Sequence, residues 1–221
     1  MMKKYLLLLA LAPWCFAKAQ TPELKRIFNG RDLQGWTTFA EKKGTDTSTQ
    51  NLFKVENGEI HASGQKFAYI ATKKSYSNFH LSVEFKWGDN RYPPRERDKR
   101  DAGICFHVQA EDKIWPKSIE CQIQKGDVGD LWLIGYTTAV VDGKRTEPKD
   151  YSRVFKKGDA ELPKGHWNTV EVISKNGTFK YIVNGVVVNE GERLSITSGR
   201  ILLQSEGAEV YYKNVKLAEL D

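Results

Sequence analysis

The 221-residue sequence predicts an all-β fold, two antiparallel sheets packed face to face as a jelly-roll sandwich. Three observations carry that expectation. Apolar residues recur at every second position in run after run, the period of a strand with one buried face. Asn57-Gly58, Asp142-Gly143, Asn176-Gly177 and Asn184-Gly185 punctuate the runs, and such dipeptides suit two-residue hairpin loops because both positions tolerate φ > 0. Helical periodicity is almost absent after residue 50. About a dozen strands are expected, without internal repeats. A chain that is 40% hydrophobic and 28% charged is an ordinary folded globule, not a disordered or fibrous one.

In chain order, the first element reads as an export leader. Met1-Met2-Lys3-Lys4 is a positive start, Tyr5 to Ala12 is an apolar run, and Ala17-Lys18-Ala19 fits small-x-small cleavage. Residues 1–19 are therefore expected to be a signal peptide and 20–221 a single sandwich domain, exported to the periplasm or secreted. The apolar run is far shorter than the ~20 residues of a membrane span, and no later stretch is apolar enough for an integral segment. Cys15 invites a lipoprotein reading, but Trp14 is bulky where a small residue is wanted, so lipid anchoring is not expected. Loss of the leader removes Lys3, Lys4 and Lys18 and no acid, reducing the formal charge from +6 to +3. That excludes a strong nucleic-acid footprint.

The strand pattern continues through Phe79-Leu81-Val83-Phe85-Trp87, with His80, Ser82, Glu84 and Lys86 between. Val170-Val172, Phe179-Tyr181-Val183 and Ile201-Leu203 repeat it. Residues 88–101 form a long loop whose charge run, Arg95 to Asp101, reads as a solvated tip; 142–165 is a second irregular stretch. Ile104, Phe106 and Val108 share a core face, leaving Cys105, His107 and Gln109 on the other. Cys121 instead sits with Ile119 and Ile123, so the two thiols should point to opposite faces and form no disulfide. Trp36, Trp87 and Trp167 read as core or loop anchors.

The segment from Trp115 to Trp132 is the most informative. Alternation places Glu120, Gln122 and Gln124 on the non-core face, and an antiparallel neighbour would turn His107 the same way. That face is unusually rich in amides and titratable groups, where a bland strand exterior uses Lys, Thr and Ser. A solvated sheet face with incidental polar residues is the plainer alternative. Glu206 lies on the same side of its strand as Gln204 and Leu202, opposite Leu203. Asp127 and Asp130 occupy a glycine-containing turn, where side-chain-to-backbone bonds are the default and a calcium ion is the alternative. His61, His80 and His166 form no recognisable ligand set, so no metal is expected from them. There is no glycine-rich phosphate loop and no GxSxG elbow.

Phe28-Asn29-Gly30-Arg31-Asp32-Leu33-Gln34-Gly35-Trp36 resembles the opening motif of the 3-keto-disaccharide hydrolase family. The Trp115-to-Trp132 segment, and Leu203 to Val210 followed by Tyr211 to Leu217, match its other hallmarks in the same order. The resemblance spans nearly the whole chain after the leader. It implies a concanavalin-A-like jelly roll that cleaves glycosides already oxidised at C3 by a separate oxidoreductase, with no redox cofactor of its own.

Ordinary glycosidases flank the scissile bond with two carboxylates, but the positions two and four after Glu120 are Gln122 and Gln124, which cannot ionise. A keto sugar asks for less. Its C3 carbonyl acidifies the C2 proton, so a base, donors for the enolate oxygen and an acid for the leaving group suffice. Glu120 and His107 are the candidate base and acid, in an order left open, with Glu206 as a second carboxylate. Gln122 and Gln124 can donate to sugar oxygens, and Trp115 or Trp132 can stack on a ring, although core packing suits Trp132 equally. Lys86 could help bind an enolate, and Asp127 and Asp130 could hold a sugar. Two rivals remain: a non-catalytic lectin-like module, and a conventional glycosidase with Glu206 or Glu84 as the second carboxylate.

Overall fold

The computed structural model describes residues 22–41, 44–45 and 52–221; the expected leader, with Cys15, lies outside the described residues. The first strands in chain order are β1 (Lys25–Arg26), β2 (Trp36–Ala40), β3 (Gly44–Thr45), β4 (Phe53–Glu56), β5 (Glu59–Ala62) and β6 (Ala68–Thr72). Then come β7 (Phe79–Arg91), β8 (Gly103–Val108), β9 (Ser118–Gln122), β10 (Leu131–Ile134), β11 (Val140–Val141) and β12 (Lys144–Arg145). The last are β13 (Tyr151–Val154), β14 (Asn168–Lys175), β15 (Thr178–Val183), β16 (Val186–Gly191), β17 (Arg200–Ser205) and β18 (Ala208–Glu219). Among the described residues no helix is long and apolar enough to cross a membrane.

Two large antiparallel sheets result. The first runs β16-β15-β14-β7-β18-β5-β4, with β1 on β18; the second runs β13-β10-β9-β8-β17-β6-β2-β3. All four Asn-Gly and Asp-Gly dipeptides sit in two-residue hairpin loops with both φ angles positive, between 48° and 83°. Those angles match a type I′ turn, whose twist suits the flanking strands. The core lies between the sheets. Phe79, Leu81, Val83, Phe85, Tyr181 and Tyr212 from the first meet Ile104, Phe106, Ile119, Cys121, Leu133 and Leu203 from the second.

The outer faces differ. β7 alternates buried and half-buried residues, as an amphipathic strand should, whereas β6, β8 and β9 are buried at every position. Polar side chains leaving the outer face of β9 therefore enter a covered space.

The alternation of β8 breaks at His107, which corrects the expectation that His107 shares a face with Glu120. His107 has φ of 52°, and the β8–β17 pairing slips by one residue there, Arg200 opposing Val108 but Leu202 opposing Cys105. The extra residue is a bulge, which inverts the phase of everything beyond it. His107 turns inward, its Nε2 2.9 Å from Ser174 Oγ on the opposite sheet, its ring packed edge-on to Phe79 and Phe106. Val108, expected in the core, turns outward to pack with Cys105, Tyr69 and Leu202. Upstream of the bulge the phase holds, so Cys105 and Cys121 lie on opposite faces and both are free.

Candidate active site

Strand register assembles a row across the outer face of the second sheet: Arg153 opposes Trp132, Trp132 opposes Glu120, Glu120 opposes Cys105, and Cys105 opposes Leu202. Directly opposed residues share a face, so Glu120 stands between an aromatic and a small thiol. The neighbouring row pairs Tyr151 with Ile134. A cavity of about 240 Å³, at the small end for a small-molecule site, opens over these rows. Trp115, Gln122, Gln124, Gln204 and Glu206 complete its lining with Arg95 and Asp101 from the loop between β7 and β8, which starts after Arg91 and not at residue 88 as expected.

Two core tyrosines of the first sheet fix the floor. Tyr181 donates its hydroxyl to the Glu120 carbonyl at 3.2 Å and Tyr212 to the Gln204 carbonyl at 2.7 Å. Gly103, opposite Gln122, makes room for the Glu120 carboxyl. A Cβ there would lie 1.8 Å from Glu120 Oε1 and 2.6 Å from Gln204 Oε1.

Three carboxyls and one guanidinium meet in the cavity. Arg95 Nη1 pairs with Asp101 Oδ2 at 2.7 Å and with Glu206 Oε1. Gln124 Nε2 donates to Asp101 Oδ2 at 2.7 Å. Gln122 Oε1 accepts the backbone N–H groups of Ile123 and Gln124, which fixes that side chain and leaves its NH₂ for a ligand. One arginine cannot neutralise three buried carboxylates. Burial, then Glu206 and Asp101, push Glu120 well above the usual carboxylate range. Burial and the charge of Asp101 raise Glu206 to about 8 against the pull of Arg95, and burial raises Asp101. Asp101 Oδ1 and Gln204 Oε1 are buried without a hydrogen-bond partner. Buried acceptors are normally satisfied, so a ligand rich in hydroxyl donors fits this wall.

The structure thus brings together Glu120, Gln122, Gln124, Glu206, Trp115 and Trp132. Trp132 lies on the cavity face while its neighbours Leu131 and Leu133 enter the core. Other expected site residues fall elsewhere. His107 lies between the sheets. Lys86 projects from the outer face of the first sheet, its ammonium 4.7 Å from the Trp167 ring and 5.1 Å from Tyr211. Glu84 is on that same far face, accepting from Asn214.

Asp127 and Asp130 do not line the cavity, which corrects the expectation that they hold a sugar, and their carboxylates are engaged by side-chain cations. Arg153 Nε donates to Asp130 Oδ2 at 2.6 Å and Nη2 to Asp127 Oδ2 at 3.2 Å, while Lys99 also holds Asp127. They position Arg153. Among the described residues no group of three or more His, Cys, Asp or Glu side chains is disposed to hold a metal ion.

Six lining residues escaped sequence reasoning: Arg95, Asp101, Ile134, Tyr151, Arg153 and Gln204. Arg95 and Asp101 belong to the charge run read as a solvated tip, yet Asp101 is only 4% exposed. Its place two residues before a fully buried strand was the available signal. Tyr151 and Arg153 lie in the stretch read as irregular, although Tyr151, Val154 and Phe155 are residue types that strands favour.

Fold and cavity together describe a jelly roll equipped to act on carbohydrate. The chain belongs to the family described as the 3-keto-alpha-glucoside-1,2-lyase-like domain, which matches residues 23–218. No curated protein matches it. Among solved structures, a candidate glycosyl hydrolase from Parabacteroides distasonis is 24% identical with a TM-score of 0.63, covering 90% of this chain and 94% of its own. The carbohydrate-binding module CBM66 from Bacillus subtilis is 13% identical at TM-score 0.56, over 85% and 98% of the two chains. A Bacillus licheniformis β-glucanase is 11% identical at 0.55, over 92% and 100%. At these identities the likeness is one of fold.

Proposed function

We propose that the protein is an exported enzyme that cleaves 3-keto-glycosides by elimination and hydration, acting after a separate oxidoreductase has oxidised the sugar at C3. The observation that carries this reading is the convergence of Glu120, Glu206 and Arg95 in one cavity, in a chain of this family. Export rests on the leader read in residues 1–19.

Glu206 is the base. With a pKa near 8 it is close enough to neutrality to take a proton and return it. It removes the proton on C2, the electron pair moves toward the C3 oxygen, and collapse of the enolate breaks the C1–O bond. Glu120, kept protonated by burial and its carboxyl neighbours, delivers its proton to the departing oxygen. Arg95 and the amide NH₂ of Gln122 face the charge that develops on the C3 oxygen. Water then adds at C1 of the enone, giving a proton to Glu120 while Glu206 returns one to C2. The products are the free 3-keto sugar and the alcohol. Two carboxyls held toward neutrality suit this route better than double displacement, which needs an ionised nucleophile.

The test is aglycone release from a chromogenic 3-keto-glucoside beside its unoxidised parent. Release from the keto compound alone is expected. Release from both would make the protein a conventional glycosidase. Release from neither, with sugar still bound, would make it a carbohydrate-binding module.

A further inference from the structure

The cavity has two unlike walls. One, built by Arg95, Asp101, Glu120, Gln204 and Glu206, is dense in donors and acceptors. The other is the β10–β13 edge, where Trp132, Ile134 and Tyr151 line the cavity and Phe155 follows in phase just outside it. Tyr151 is 48% exposed and Phe155 69% exposed, two of the six large hydrophobics that stand in solvent among the described residues. Exposed aromatics gathered beside a cavity mark a contact surface.

Arg153 joins them into a plate. Its guanidinium carbon lies 4.6 Å from the Phe155 ring centre and 5.7 Å from that of Trp132. Asp130 and Asp127 hold its Nε and Nη2, and Asp130 Oδ1 also accepts the Lys156 N–H at 2.8 Å. Trp132 Nε1 is buried without a hydrogen-bond partner. The polar side-chain atoms of this edge are therefore few, namely the Tyr151 hydroxyl, Arg153 Nη1 and the Trp132 N–H, and most of what faces outward is flat and apolar.

Building on the proposed function, we infer that the β10–β13 edge is the leaving-group subsite and takes a planar aromatic aglycone in preference to a second sugar. A sugar leaving group would bring hydroxyls that find few partners here, and each unmet group costs binding. An aromatic ring loses nothing of the kind and gains stacking on Phe155, Tyr151 and the Arg153 plane.

The experiment compares phenyl 3-keto-glucoside with a 3-keto-disaccharide in wild type, Phe155→Ala and Tyr151→Phe. Phe155 is exposed, so its loss spares the fold. Phe155→Ala is expected to lower kcat/KM for the phenyl substrate about fivefold more than for the disaccharide, mainly through KM, while Tyr151→Phe, which keeps the ring, preserves the preference. Because each variant is compared with wild type on the same substrate, leaving-group reactivity cancels. Equal losses on both substrates would overturn the inference. Calorimetry with unoxidised phenyl glucoside and unoxidised disaccharide gives an arm independent of turnover. Tighter phenyl binding that Phe155→Ala abolishes would uphold the subsite even if neither keto compound were cleaved, which would refute only the reaction. Equal affinities would overturn the subsite whether or not cleavage occurs. Size-exclusion chromatography closes the remaining gap: a dimer dissociated by Phe155→Ala, with the substrate preference intact, would make this edge a contact between copies instead.

Discussion

Glu120 and Glu209 are both buried glutamates, one on the outer face of each sheet, and both nestle against a glycine. A Cβ on Gly103 would lie 1.8 Å from Glu120 Oε1, and one on Gly88 would lie 2.3 Å from Glu209 Oε2. Their surroundings differ completely. Glu209 Oε2 accepts the backbone N–H groups of Asp89 and Asn90 and the Asn90 amide, while Oε1 meets His61 Nε2 at 2.8 Å and the Tyr211 hydroxyl at 3.1 Å. Burial works against its charge, but the Asn90, His61, Asp89 and Tyr211 bonds outweigh it and hold the pKa below the usual value. Glu120 has two other carboxyls where Glu209 has donors, and is pushed the other way. A buried charge that is fully met by donors serves the fold. One that is crowded by like charge is a stored proton, available to chemistry.

The sharpest way to break this comparison is to fill the two glycine notches. Gly103→Ala must displace the Glu120 carboxyl, and kcat/KM on a 3-keto-glucoside is expected to fall at least about 100-fold. Gly88→Ala must displace Glu209 from its donors, and is expected to cost about 2 kcal/mol in denaturant unfolding while kinetic constants hold. If Gly103→Ala left catalysis intact, Glu120 would not need its observed position.

The two sides should also respond oppositely to pH. Glu206 has a folded pKa near 8, above its unfolded value of 4.5, so the folded state binds the extra proton between those values. Stability falls as pH rises through that window, and Glu206→Gln should flatten the fall. Glu209 has a lowered folded pKa, so its contribution is present above pH ~4.5 and is lost as pH drops further. Glu209→Gln should flatten that acid limb. Thermal melts from pH 3 to 9 read both slopes, and identical slopes in the two variants would dissolve the distinction. The same titration makes kcat/KM rise with pH toward a plateau above about 8, since the base must be ionised.

The smallest effect belongs to Lys86, whose contacts are the Trp167 and Tyr211 rings of the far sheet. Lys86→Ala should cost about 0.5 kcal/mol or less and leave kcat/KM within about twofold. A large kinetic loss would mean that the first sheet contributes to the site.

Much of this was legible in the sequence, because period-two alternation fixes which way a side chain leaves its strand. It separated Glu120 and Gln122 from Cys121, and Glu206 from Leu203. The Asn-Gly and Asp-Gly pairs located four hairpins for a reason local to the turn, the need for two positive φ angles. Alternation fails where the backbone slips by one residue, and His107 was lost to such a bulge. It also says in or out without saying which sheet, so Lys86 and Glu120 looked alike. Arg95 and Asp101 were hidden by their neighbours: a charge run reads as solvent-loving, and only tertiary structure folds two of its members over a sheet. Tyr151 and Arg153 were hidden because β13 is four residues long and borders the sheet.

The most direct test of the account measures kcat/KM on a chromogenic 3-keto-glucoside and melting temperature together, for Glu120→Gln and Glu209→Gln. Glu120→Gln is expected to lose about 10²- to 10⁴-fold in kcat/KM with its melting temperature held or raised. Glu209→Gln should keep kcat/KM within about threefold while melting lower, as a buried donor cluster loses its charge. The reverse pattern, or Glu120→Gln retaining full activity, would contradict it.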